Sequence, residues 1–136
     1  MIISLDLPLP EFEAEWRMQI YEAFKKSNQK LYFLRMDSHD VKTLEKVKEI
    51  IGEEKLEFLL IDGDHTYEGA KKDYQMYSLL VKQEGLIAFH DIVAPPYRVA
   101  SCEVNRLWNE LKQESNYKEF VKSPKQRWAG IGVIIK

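Results

Sequence analysis

Short apolar runs alternate with longer amphipathic stretches along most of this 136-residue chain. Met1 to Asp6 is a run of that kind, predicting a strand that ends in an acid, and Leu7-Pro8-Leu9-Pro10 is a rigid connector because each proline disfavours helix before it. From Glu11 to Lys26 the spacing of Phe12, Trp16, Ile20 and Phe24 predicts a helix with those residues inward, ended by Ser27-Asn28. Lys30 to Met36 predicts a second strand, closed by Asp37-Ser38-His39-Asp40, one of which caps the next helix. In that helix Val41, Leu44, Val47, Ile50 and Ile51 form the apolar face, and Gly52 stops it.

Leu56 to Ile61 predicts a third strand, Tyr67 to Lys82 a helix with Ala70, Tyr74, Tyr77, Leu80 and Val81 inward, and Gly85 the turn into a fourth strand, Leu86 to His90. Pro95-Pro96 forces a loop over Ile92 to Ala100. Ser101 to Glu114 predicts another helix, with Val104, Leu107, Trp108 and Leu111 on one face. Tyr117 to Val121 and Trp128 to Ile135 then read as strands joined by a turn, an antiparallel pair at a sheet edge. Strand–helix alternation followed by a β-pair predicts one α/β domain over residues 1–136, Rossmann-like, with a doubly wound and mostly parallel sheet. The continuous apolar runs of the third and fourth strands suit burial on both faces.

Composition adds bounds. The chain is 45% hydrophobic and 31% charged, as soluble globular proteins are, and it is long enough for one core. A formal net charge of -2 gives no electrostatic reason to expect nucleic acid or an anionic membrane as partner. The single cysteine, Cys102, cannot form an internal disulfide, no run has the length of a membrane span, and no signal-peptide layout opens the chain, so the expected location is cytoplasmic.

The candidate chemistry lies at strand ends. Asp62, Asp64 and His65 follow the third strand and His90-Asp91 close the fourth, so neighbouring strands would bring them to one edge, where ligands bind in α/β sheets. Carboxylates with imidazole suit a divalent cation, and a histidine not used as ligand suits a general base because imidazole titrates near neutrality. The same residue types also cap helices and turn the chain at strand ends, and the pattern alone does not choose between the two. Asp6 can hold a ribose or precede a turn; Asp37 and Ser38 can contact a ligand or cap a helix. His39 reads as a solvated loop residue, Trp16 and Trp108 as core, and Trp128 as opening the last strand. There is no GxGxxG, GxxxxGK[ST] or GxSxG pattern.

Ile61-Asp-Gly-Asp-His-Thr-Tyr-Glu68, Asp73, Leu79-Leu80, Gly85-Leu-Ile and His90-Asp91 together carry a resemblance. The chain resembles class I S-adenosylmethionine-dependent methyltransferases, in the branch of metal-dependent sugar and macrolide O-methyltransferases and cephalosporin-hydroxylase-like proteins. The resemblance implies S-adenosylmethionine and a divalent metal, magnesium or manganese, as cofactors, and a small-molecule hydroxyl as acceptor. It implies Asp62 and Asp91 as metal ligands, with His90 where relatives carry a glutamate ligand, and His65 as general base. It implies Asp6 for the cofactor ribose and Asp37 and Ser38 for its adenine.

In that family a first strand and a glycine-rich loop precede the strand bearing the ribose acid, and none of the six glycines here supplies that loop. The expected sheet therefore lacks the usual first strand. Either the strand of Ile2 to Leu5 pairs beside Leu56 to Ile61, or another chain fills the gap, and a homo-oligomer, a dimer, is expected. Two other functions remain compatible with these residues: a non-catalytic remnant of the methyltransferase fold acting by association, and a metal-dependent hydrolase-like domain.

Overall fold

The computed structural model describes residues 1–8, 15–94 and 102–136, with backbone alone for 15–17. The start of the first helix, including Phe12, the loop at Pro95-Pro96 and the start of the helix expected from Ser101 lie outside the described residues. The elements in order are β1 (Ile2–Asp6), α1 (Glu15–Phe24), β2 (Leu31–Arg35), α2 (Val41–Ile51), β3 (Leu56–Ile61), α3 (Tyr67–Tyr77), a 3-10 turn (Ser78–Leu80), β4 (Val81–His90), α4 (Val104–Leu111), β5 (Asn116–Phe120) and β6 (Ile131–Ile135). The protein is α/β, as expected. Among the described residues no helix is long and apolar enough to cross a membrane.

Two compact units divide the chain, Met1–Ile50 and Ile51–Lys136. In the first, β1 and β2 run parallel, with Ile2 opposite Leu31 and Asp6 opposite Arg35. Tyr21 of α1 packs on Phe33 of β2, ring centroids 5.4 Å apart. Of the expected stripe, Ile20 and Phe24 are exposed, Phe24 at 82%, and Tyr21, the residue of α1 that meets Phe33, keeps much of its own surface in solvent. In α2, Val47 and Ile51 are buried as expected, but Val41 is exposed while the polar Thr43 is fully covered. Gly52 takes φ +60 after the last turn, the left-handed conformation that ends helices.

The second unit holds a four-stranded sheet in the order β3-β4-β6-β5. β3 and β4 are parallel and β4–β6 antiparallel; β6–β5, also antiparallel, is the edge pair read from the sequence. β4 starts at Val81 rather than Leu86. Leu56 pairs with Val81 and Phe58 with Leu86, so Lys82 to Gly85 stand against the single residue Glu57. Gly85 is thus a buried part of this bulge, not the turn before the strand, and a Cβ there would meet Val81 Cγ1 at 2.6 Å. β6 begins at Ile131, so Trp128 lies before it, exposed.

Among the described residues β1 pairs with β2 in one sheet and β3 with β4 in the other. The core lies in the second unit. Ile87, Ala88 and Phe89 of β4 are each 1% exposed or less, and Trp108 of α4 packs on Phe89 with centroids 5.9 Å apart. Trp108 also meets Tyr117 edge-on and donates its indole N–H to Glu119 Oε1 at 2.6 Å, so the buried ring leaves no donor unsatisfied. Gly132 makes room for it: a Cβ at that position would lie 2.5 Å from the Trp108 ring.

Candidate functional site

β3 and β4 are adjacent and parallel, so the residues after Ile61 and Phe89, which pair across the ladder, emerge side by side. Asp62 and His65 leave β3; His90 ends β4 and Asp91 follows it. Beyond β3 the chain turns quickly into α3. Asp64 Oδ1 accepts the Thr66 N–H at 2.9 Å, and Thr66 caps the helix by accepting from Gly69 N at 3.0 Å. Gly69 must lack a side chain, since the Asp64 carboxylate occupies the place of its Cβ, 2.1 Å from Asp64 Cγ. This tight turn holds His65 over the strand ends.

The four side chains form one cluster. His65 approaches both carboxylates, with Nε2 3.4 Å from Asp62 Oδ1 and Nδ1 3.2 Å from Asp91 Oδ2. His90 Nδ1 lies 3.2 Å from Asp62 Oδ1 and 3.3 Å from Asp91 Oδ1. Asp62, His65 and His90 are partly exposed, whereas the Asp91 side chain is 5% exposed. Asp91 also adopts φ +59, a left-handed backbone that few residues other than glycine, asparagine and aspartate take. Its Oδ1 and the Nδ1 of His90 are buried with no hydrogen-bond partner. A buried carboxylate oxygen and a buried imidazole nitrogen left open side by side fit a cation.

The sequence therefore named a group that the fold does assemble. It did not name Cys102. Buried just before α4, Cys102 adjoins Asp91, and burial pushes its thiol above the ordinary value. One ligand atom from each of His65, Asp91 and Cys102 falls within 4.8 Å of the others. Nothing local in the sequence signals this; the approach is made by a backbone bond from Glu103 N to His65 O at 2.7 Å.

In the first unit Asp6 ends β1 and Asp37 follows Met36, whose N–H bonds to Asp6 O at 2.9 Å, so both acids share one strand-end edge. Asp6 accepts from Leu7 N at 2.9 Å and from Arg35 at 3.3 Å, leaving further lone pairs open on an exposed carboxylate. Asp37 accepts the His39 N–H at 2.8 Å, and it is Asp40 that caps α2 through Lys42 N at 2.9 Å. Ser38 sits in the same turn.

A family profile described as "Methyltransferase domain" matches residues 2–92, well over half of the chain. The chain belongs to that family. No curated protein matches this methyltransferase domain in sequence. Solved structures share its fold. An O-methyltransferase family protein from Burkholderia thailandensis superimposes with a TM-score of 0.65 at 11% identity, over 98% of this chain and 43% of its own. The O-methyltransferase from Bacillus cereus, in complex with SAH, gives 0.62 at 15% identity, over 98% and 62%. MycE methyltransferase from the mycinamycin biosynthetic pathway, in complex with Mg, SAH and mycinamycin VI, gives 0.59 at 12% identity, over 99% and 44%. At these identities the likeness is one of fold. The methyltransferase domain spans 43% to 62% of the length of these chains.

Proposed function

We propose that the domain transfers a methyl group from S-adenosylmethionine to a hydroxyl of a small molecule, assisted by magnesium or manganese. The observation that carries this reading is the Asp62–His65–His90–Asp91 cluster at the ends of two adjacent parallel strands, with the Asp91 carboxylate buried and one of its oxygens open. Family membership supports the donor, and the Mg and SAH in the MycE complex support both groups by analogy of fold. Asp62, His90 and Asp91 would hold the cation; Asp6, Asp37 and Ser38 would hold the donor. When bound, S-adenosylmethionine supplies the methyl group and the cation lowers the pKa of the acceptor hydroxyl.

The remaining work falls to this chain's own groups. Asp91, buried beside His65 Nδ1, accepts its proton and so fixes the neutral tautomer with the lone pair on Nε2. That nitrogen, on the partly exposed side of the ring, takes the hydroxyl proton as a general base. The orientation of His65 is held by the tight turn between β3 and α3, which limits the loss of alignment on reaction.

Calorimetric titration with S-adenosylhomocysteine tests the donor site: saturable binding, weakened in Asp6→Ala, is expected, and no binding at millimolar ligand overturns it. Manganese titration tests the cation site. Asp62→Ala and Asp91→Ala should each weaken binding by more than about tenfold; unchanged affinity in both overturns the metal assignment.

β1 and β3 each bond to a single strand among the described residues, and such sheet edges favour a second reading, association through strand edges. A monomer in sedimentation across the micromolar range would rule it out.

A further inference from the structure

Cys102 has no part in the reading above, yet the fold takes trouble over its place. Glu103 donates its N–H to His65 O at 2.7 Å and its side-chain Oε2 accepts Tyr67 N at 3.4 Å, which ties the start of α4 to the turn that carries His65. The result is three different donors, imidazole, carboxylate and thiol, with ligand atoms within 4.8 Å of one another. A second observation points to a ligand on the same carboxylate: Asp91 Oδ1 is buried without a hydrogen-bond partner, on a side chain only 5% exposed.

Donor chemistry selects the cation. Magnesium demands near-octahedral oxygen ligands and keeps much of its water. Sulfur, nitrogen and a single carboxylate are a zinc-type set, bound at about 2.0–2.3 Å in a tetrahedron, which sets ligand atoms roughly 3.4–3.7 Å apart. His65 Nδ1 and Asp91 Oδ2 already stand 3.2 Å apart, and the Cys102 sulfur, no more than 4.8 Å from its two partners, has at most about an ångström to move to complete the geometry.

We propose that His65 Nδ1, Asp91 and the Cys102 thiolate form a site for a thiophilic divalent cation of the zinc class, and that its occupancy is inhibitory. Binding forms the metal–sulfur bond and releases the thiol proton to solvent. It also places the remaining imidazole proton on Nε2, facing Asp62 Oδ1 3.4 Å away, the carboxylate–histidine–metal arrangement that fixes a ligating ring. A cation there consumes the lone pair needed for proton transfer and the carboxylate needed by a harder ion. The inhibitory part rests on the reading of His65 as base; the site itself does not.

Cobalt(II) titration of the full chain tests the site directly. A sulfur-to-cobalt charge-transfer band in the near ultraviolet is expected, with proton release, and zinc should abolish it by displacement. His90→Gln should keep the band, since His90 is outside this donor set. Cys102→Ser should lose it and bind zinc at least about tenfold more weakly, with manganese affinity unchanged within about twofold. Cobalt bound by the unmodified chain without a sulfur band overturns the proposal, whether or not the serine variant folds. Zinc affinity unchanged in a folded Cys102→Ser chain overturns it as well. S-adenosylhomocysteine binding, measured separately, reports on the methyltransferase reading alone, so the two can fail independently.

Discussion

β1 and β4 are both apolar runs that end in polar, site-bearing residues, yet their burial is opposite. Ile87, Ala88 and Phe89 of β4 are covered by α3, α4 and the neighbouring strands, whereas Ile2 and Asp6 of β1 are exposed and Ile3, Ser4 and Leu5 only half-buried. The same contrast separates their helices. α4 inserts Leu107 and Trp108 into the core, while α1 leaves Ile20 and Phe24 in solvent. An apolar stripe states what a segment can bury; whether it does depends on a partner element being in reach. The second unit carries the packing, and also the only cation-ligand cluster among the described residues.

The sharpest way to test that contrast is to remove the centre of the denser unit. Trp108→Ala takes away a ring in contact with Phe89 and Tyr117 and leaves Glu119 with Lys112 alone, and should cost about 3–5 kcal/mol in urea or thermal unfolding. Gly132→Ala attacks the same ring from the other side by overpacking. Its Cβ would overlap Trp108, and a loss of about 1–3 kcal/mol is expected, with the indole fluorescence shifted by displacement.

A smaller effect comes from pH. The Trp108 indole N–H, and then Lys112, hold the Glu119 carboxyl below its ordinary value. The unfolded chain therefore takes up that proton first, near about pH 4.3. The stabilisation is whole above that value and is lost as pH falls through the lower folded one. Thermal unfolding followed downward from pH 6 should thus weaken less steeply in Glu119→Gln than in the unmodified chain. Smallest of all, Phe24→Ala removes a ring that is already in water and should leave stability within about 0.5 kcal/mol. A Phe24→Ala loss approaching that of Trp108→Ala would erase the distinction between the units.

Much of this was readable from residue order. β1, β2, β3 and α2 fall within a residue of their expected bounds, because each is a continuous apolar run or a clean helical stripe closed by a polar turn or a glycine. Asp62, His65, His90 and Asp91 were legible as a group because two parallel neighbours must deliver their ends to one edge. What escaped was non-local. In sequence Lys82 reads as the end of a helix and Gly85 as a turn, and it is the strand register and the backbone bonds of Glu84 and Gly85 with Lys136 that reveal a bulge inside a strand. Cys102 looked inert because a lone cysteine carries no spacing signal; its meaning comes from one backbone bond between Glu103 and His65.

The left-handed backbone at Asp91 has a consequence for which substitutions can be inherited there. Glutamate keeps the charge but pays for a longer side chain in a conformation its backbone resists, by roughly 1–2 kcal/mol. Asparagine keeps the conformation and surrenders the charge. Glycine relaxes the chain and leaves a hole beside His65. None of these three substitutions preserves both the shape and the charge, so each gives up one half of what Asp91 does.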